Sequence, residues 1–170
     1  MHDHLPPMPF NNFESSVPFE LARIEAAAVY CSDGRFGSQV DDLLQNILQL
    51  PRYDRLAVPG GAACLTGHFL THREEEGVQE QLRFLIAAHK LRRVVLIAHQ
   101  DCAYYTQRLG VTPELLERQQ RNDLEKAIAR VHTLGPHLTV EAYFARKLPN
   151  DRIRFEATLA TNPGRDLPGY

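Results

Sequence analysis

Short apolar runs alternate along the chain with longer segments in which apolar side chains recur every three or four positions. The runs "EAAAVY" (25–30), "RLAV" (55–58) and "RRVVLIAH" (92–99) are too short for helices, and the last is continuous in aliphatic residues. Continuous apolar runs are typical of strands that are buried on both faces of a parallel sheet. We therefore predict three buried strands in these ranges.

An amphipathic segment follows each predicted strand. The first has its apolar residues at helical spacing after Ser38, a candidate N-cap, and stops at Pro51. The second has an apolar face over 78–89, and the third begins with Thr112 as N-cap and Pro113 at the first helical position. The pattern thus predicts strand–helix–strand–helix–strand–helix.

The C-terminal segments have a different period. Residues 138–145 ("LTVEAYFA") and 152–158 ("RIRFEAT") alternate apolar and polar positions, which is typical of a hairpin with one solvated face. The predicted fold class is α/β: a mainly parallel sheet flanked by helices, with right-handed crossovers and an antiparallel edge strand from this hairpin. We expect one domain over 24–160, an N-terminal arm over 1–23 and a tail over 161–170.

Composition and charge narrow the possible partners. The chain has 170 residues, of which 44% are hydrophobic and 24% charged, enough for one compact core. A net charge of −2 without a basic block gives no reason to expect nucleic acid. No apolar run approaches the ~18 residues of a membrane span, and the N-terminus lacks the pattern of a secretory signal. Three widely spaced cysteines do not suggest a disulfide framework, so we expect a cytoplasmic protein without a membrane partner.

Two loops at predicted strand ends carry metal-binding residue types. The loop "CSDGRFG" contains Cys31, Asp33 and Arg35, and the loop "HQDC" contains His99 and Cys102. Carboxyl ends of parallel strands meet at one edge of the sheet, so two cysteines and a histidine are expected together there. Thiolate and imidazole favour zinc over magnesium or calcium, and three protein ligands leave a fourth tetrahedral position open, as in catalytic sites.

The carboxylate two positions after the first cysteine has three possible roles. Asp33 could close the fourth zinc position, or Arg35 could hold it away in a bidentate ion pair. Zinc lowers the pKa of bound water to ~7, and Asp33 held in this way could accept a hydrogen bond from the resulting zinc-bound hydroxide. A purely structural ion pair is the third possibility, and the sequence leaves all three open.

Other features near this edge have weaker chemical signals. Gly60 and Gly61 in "PGGAAC" are candidates for the substrate pocket, although a tight turn before a helix explains them better. No Gly-Lys-Ser/Thr follows them, which argues against a phosphate-binding loop. We expect His68 and His72 to lie on a solvated helix face and Cys64 to be a packing residue.

The combination of "CSDGR" and "HQDC" resembles the β-class carbonic anhydrases, whose signature is a Cys-x-Asp-x-Arg loop followed by a His-x-x-Cys loop. The resemblance covers roughly 24–159 and fits a divergent, short member of the family. It implies one zinc ion per chain, bound by Cys31, His99 and Cys102. It also implies that the Asp33–Arg35 pair gates the fourth position.

The function that this resemblance implies is reversible hydration of carbon dioxide to bicarbonate by a zinc-bound hydroxide. It also implies a homodimer or higher homo-oligomer, for which the arm of residues 1–23 could serve as a clasp. Two alternatives remain open. One is a carbonic anhydrase-like zinc protein with a structural or regulatory role, because Ala98 and Ala103 stand where the family usually has glycine. The other is a hydrolase of a CO₂ analogue such as carbonyl sulfide or carbon disulfide.

Overall fold

A computed structural model describes residue 12 and residues 14–161, the last three of them by their backbone alone. Most of the predicted arm (1–11 and 13) and of the predicted tail (162–170) therefore lies outside the described residues. The division of the chain into arm, domain and tail stays a prediction.

The described residues form one five-stranded sheet in the order β2-β1-β3-β4-β5. Its strands are β1 (Ala26–Cys31), β2 (Asp54–Val58), β3 (Arg93–His99), β4 (Thr139–Lys147) and β5 (Ile153–Thr161). Strand β1 is parallel to β2 and β3, and β3 is parallel to β4. Strand β5 runs antiparallel to β4 at the edge. The predicted fold class is confirmed, including the antiparallel edge strand.

The helices of the described part are α1 (Gly37–Asp42), α2 (His72–His89) and α3 (Pro113–Leu134). Short π-helical turns (Leu43–Ile47 and Tyr104–Arg108) and 3₁₀ turns (Gly61–Leu65 and Phe69–Thr71) complete the connections. Thr112 is the N-cap residue of α3, as predicted. The prediction for Ser38 is wrong, because Phe36 is the N-cap residue and Ser38 already lies inside α1.

Both faces of the sheet are covered. On one face, Val29 and Leu96 belong to the same apolar cluster as Leu82 of α2 and Leu124 of α3, and all four are 0% exposed. On the other face, the buried cluster includes Ala28 and Val95 of the sheet with Val40 and Leu44 of the α1 segment. Burial on both faces explains why β1 and β3 are continuous apolar runs. No helix among the described residues has the length and apolar character needed to cross a membrane.

Candidate metal centre

The two motifs meet at the carboxyl edge of the sheet. Cys31 is the last residue of β1 and His99 the last of β3, and these neighbouring parallel strands pair Tyr30 with Ile97. A turn through Asp101, whose φ is +55°, brings Cys102 back toward them. The sulfur atoms of Cys31 and Cys102 are 3.8 Å apart. Ligand atoms of the two cysteines and His99 all lie within 4.8 Å of one another, so the structure brings the three predicted ligands together.

The two nitrogens of the His99 ring have different surroundings. The side chain is buried, and its Nδ1–H donates to the carbonyl oxygen of Gln100 at 2.8 Å. Nε2 is buried without a hydrogen-bond partner. A buried polar atom without a partner is costly, and a metal ion would satisfy the lone pair that Nε2 carries in this tautomer. The Nδ1–H bond to Gln100 therefore leaves Nε2 as the ring atom that could bind a metal.

The two thiols perturb each other. A hydrogen bond from the Cys102 thiol lowers the pKa of Cys31, and the same contact together with burial raises the pKa of Cys102. A thiolate at Cys31 is the form that binds a soft or borderline cation, and such binding releases the remaining thiol proton. Two thiolates and one neutral imidazole suit zinc and leave its fourth position open. The residues present thus fit the predicted ion.

Asp33 and Arg35 form the predicted bidentate ion pair. Nη2 of Arg35 lies 2.6 Å from Oδ2 of Asp33, and Nε lies 3.0 Å from Oδ1. The backbone N–H of Arg35 also donates to Oδ1 at 3.1 Å. These hydrogen bonds to Arg35 lower the pKa of Asp33 to about 2, so the carboxylate is ionised throughout the neutral pH range. Both of its oxygens are engaged by the same residue.

A cleft of about 410 Å³ opens beside the cluster, lined by Cys31, Ser32, Asp33, Pro59, Ala103, Tyr104, Gln107 and Arg108. A mainly apolar pocket of about 400 Å³ shares Pro59, Tyr104 and Arg108 with this cleft, and Val58 and Val78 add apolar surface to it. The phenol of Tyr104 and the guanidinium of Arg108 both donate to Glu74, at 3.3 and 2.7 Å. The cleft therefore has a polar part beside Asp33 and an adjoining apolar pocket.

Gly60 and Gly61 are absent from that cleft lining and instead allow close packing. Both have positive φ, +82° and +53°. A Cβ on Gly60 would overlap the ring of Tyr104, and one on Gly61 would lie 2.6 Å from the backbone nitrogen of Cys31. The two glycines thus position the groups around the site, and a contact between them and substrate stays a prediction.

The two histidines of "GHFLTHREEE" do not share a helix face. His72 begins α2, is 69% exposed and pairs with Glu76, in agreement with the expected solvated face. His68 precedes the helix, and its Nε2 lies 2.7 Å from Oδ2 of Asp123, a carboxylate that is 0% exposed. The expectation is therefore wrong for His68. Cys64 is a buried packing residue, as expected, and its thiol donates to the carbonyl of Pro59.

Sequence patterns did not identify the buried polar side chains of α3. Gln120 and Asp123 are buried on the α3 face that also carries Leu116 and Leu124. The sequence does contain a signal for them, because these two polar residues interrupt an otherwise apolar stripe of the helix. Gln120 donates from Nε2 to the carbonyl oxygen of His99 at 2.7 Å.

The sequence matches the family described as "Putative carbonic anhydrase" over residues 22–154. The chain belongs to this carbonic anhydrase family. The resemblance predicted from the two motifs is thereby confirmed, and the chain is a divergent, short member. Family and fold together support a carbonic anhydrase-like function, and the described residues contain a Cys-His-Cys cluster that could hold a metal ion. Among curated proteins, none matches the sequence significantly.

Solved carbonic anhydrases share the fold. The β-carbonic anhydrase isoform I of Trichomonas vaginalis is 13% identical, with a TM-score of 0.52 over 82% of this chain and 87% of that chain. The enzyme of Glaciozyma antarctica is 15% identical, with a TM-score of 0.52 over 82% and 85%. That of Streptococcus mutans is 15% identical, with a TM-score of 0.52 over 81% and 87%. At such identities the similarity concerns the fold.

Proposed function

We propose that this carbonic anhydrase-family protein is a zinc enzyme that interconverts carbon dioxide and bicarbonate. The observation that carries the proposal is the cluster of Cys31, His99 and Cys102, whose buried Nε2 atom has no partner. The cluster lies beside a cleft that Cys31 lines together with Asp33. Two thiolates and an imidazole are suitable ligands for zinc. The adjacent ionised carboxylate can accept a hydrogen bond from water, which supports a reaction in which water attacks the substrate.

One zinc ion per chain would be held by the two thiolates and by Nε2 of His99. When bound, it would supply a Lewis acid that makes water a nucleophile near pH ~7. The chain prepares the ligands before the metal arrives, because Gln100 fixes the His99 tautomer and the two sulfurs already lie 3.8 Å apart.

Asp33 would align the attacking water. Its carboxylate is ionised at neutral pH and can accept but not donate a hydrogen bond, so it orients a water proton and leaves a lone pair free for the carbon of CO₂. Arg35 is the positioning residue, because its bidentate clamp keeps Asp33 from turning toward the cluster as a further ligand. The apolar pocket beside Tyr104 suits an uncharged substrate, and water addition yields bicarbonate and a proton.

A stopped-flow assay of CO₂ hydration tests this function. We expect the zinc-loaded protein to accelerate hydration, Cys102→Ala to abolish the acceleration, and Asp33→Asn to lower kcat about 10²–10⁴-fold. Asp151→Asn is the matched control, since it removes an exposed carboxylate in the β4–β5 turn at a φ of +59° that asparagine tolerates. Wild-type rates in Cys102→Ala would refute the proposal.

The assembly and the compartment are also part of the proposal. The arm side chains of Val17, Phe19 and Leu21 are 74%, 88% and 91% exposed, an apolar surface that favours burial against a second chain. We therefore propose a homodimer closed by this arm. All three cysteines are free thiols, which supports a reducing compartment such as the cytoplasm.

A further inference from the structure

We propose that Gln120 of α3 is a positioning residue that fixes the orientation of His99 and thereby raises the affinity of the site for its metal. The buried amide and the histidine carbonyl are 2.7 Å apart although they belong to different elements. This inference rests on the metal centre of the proposed function and not on the reaction that the centre catalyses.

The carbonyl oxygen of His99 lies where the sheet cannot provide a partner on the β1 side. The β1–β3 ladder ends with the pair Tyr30 and Ile97, so His99 extends past it. Nε2 of Gln120 donates to this oxygen, and the side chain is only 1% exposed. A carbonyl accepts only from the NH₂ end of an amide, so chemistry fixes which way the amide points.

The other end of the same amide has no partner. Oε1 of Gln120 is buried without a hydrogen bond. Leaving a buried polar atom unpaired opposes folding, and an apolar side chain would fit the stripe formed by Leu116, Leu124 and Ala127 without that cost. The amide is thus a poor packing residue at this position. Its NH₂ group, held against the His99 carbonyl, is what an apolar residue could not provide.

Gln100 connects His99 to β4 by hydrogen bonds. Its backbone N–H donates to the carbonyl of Ala145 at 2.9 Å, and its side-chain oxygen accepts from the N–H of Lys147 at 3.1 Å. Its own carbonyl accepts from Nδ1 of His99. Hydrogen bonds therefore connect the ring of His99 to β4 through Gln100, and its carbonyl oxygen to α3 through Gln120. Hydrogen bonds that orient a ligand in this way tune the metal affinity.

The variant Gln120→Met tests the inference, because it keeps the length of the side chain and removes its donor. We expect the zinc dissociation constant, measured by chelator competition, to rise about ten- to hundredfold. We also expect the ligand-field absorption of the cobalt(II)-substituted protein to change, since it reports the ligand geometry directly.

The matched control is Gln119→Met, the preceding residue on α3. It removes a hydrogen bond of the same type, from Nε2 to Asp123 at 2.9 Å, without touching the ligand loop. We expect wild-type zinc affinity and a wild-type cobalt spectrum. If Gln120→Met also retains both, Gln120 has only a structural role and the inference is overturned, whatever its thermal stability.

Should Gln120→Met fail to fold, the wild-type protein gives the answer by ¹⁵N NMR. Removal of zinc is expected to shift the side-chain amide signal of Gln120 and to leave that of Gln119 in place. An unchanged Gln120 signal overturns the inference. A protein that binds zinc in the expected site but does not hydrate CO₂ would refute the proposed function and leave the role of Gln120 intact.

Discussion

Gly61 lies so close to the end of β1 that the position of Cys31 depends on its missing side chain. Its φ is +53°, and an added Cβ would lie 2.6 Å from the nitrogen of Cys31 and 2.7 Å from the carbonyl carbon of Tyr30. Both neighbours are backbone atoms and cannot rotate away. A side chain at this position would therefore push the first metal ligand out of place.

We expect Gly61→Ala to lower the free energy of unfolding by about 2–5 kcal/mol, the sum of left-handed strain and overpacking. Urea denaturation measures the loss, and zinc affinity should fall with it. Gly110→Ala is the control, because Gly110 also has a positive φ, +68°, but its Cβ would meet nothing within 4 Å. It should show the strain alone, about 1–2 kcal/mol, with unchanged zinc affinity. Equal losses in the two variants would contradict the proposed contact.

The ligand residues could be predicted from the sequence, whereas their supports could not. Cys31, His99 and Cys102 are carried by short motifs that directly follow apolar runs, so spacing and strand direction suffice to bring them together. The support from Gln120 depends on how α3 crosses the sheet, a long-range relation that local spacing does not contain. Its polarity on an apolar stripe indicated burial with a partner but did not identify that partner.

At the scale of elements, an ion-pair network joins α3 to the terminal hairpin. Arg146 of β4 lies 2.6 Å from both Glu117 of α3 and Glu156 of β5. Arg121 of α3 also pairs with Glu156, and its guanidinium lies 4.6 Å from the centre of the Phe144 ring. The network fixes the antiparallel edge of the sheet against the helix that supports the metal loop.

The network makes the stability depend on pH. Hydrogen bonds from Arg146 and Arg121 lower the pKa of Glu156 to about 2 in the folded chain. Because the folded pKa is below the unfolded value of ~4.3, the stabilisation is complete above that value and is lost as the pH falls toward 2.

We expect Glu156→Gln to be less stable than the wild type at pH 7 by about 1 kcal/mol or less, given the partial exposure of the pairs. The difference should shrink as the pH falls toward 2, because protonation of Glu156 removes this charge from the wild type. Urea titrations at pH 7, 4 and 2.5 measure it. A difference that stays constant across this range would show that the carboxylate charge of Glu156 contributes nothing.

The strands were easier to predict than the first helix. Burial on both faces makes β1 and β3 continuous apolar runs, a signal that needs no knowledge of neighbours. The α1 segment changes from α-helix to a π-helical turn at Leu43, and its N-cap position is taken by Phe36, whose ring lies 4.2 Å from that of His99. That contact joins residues far apart in the sequence, so capping preferences alone indicated Ser38 instead.

At the scale of the whole molecule, the exposed arm predicts the oligomeric state. Light scattering should give twice the mass of one chain for the wild type. Replacing Val17, Phe19 and Leu21 together by serine removes the apolar surface and should shift the protein toward monomer. Leu115→Ser, which alters a 47% exposed leucine on α3, should remain a dimer. A monomeric wild type would contradict the proposed clasp.

The central claim joins the metal centre to the hydration of CO₂, and metal removal tests it most directly. One preparation is assayed by stopped flow as purified, after removal of metal with a chelator, and after addition of one equivalent of zinc per chain. We predict hydration well above the buffer rate, its loss with the metal, and its return with zinc. A protein that binds one zinc per chain and hydrates CO₂ no faster than buffer would contradict the account.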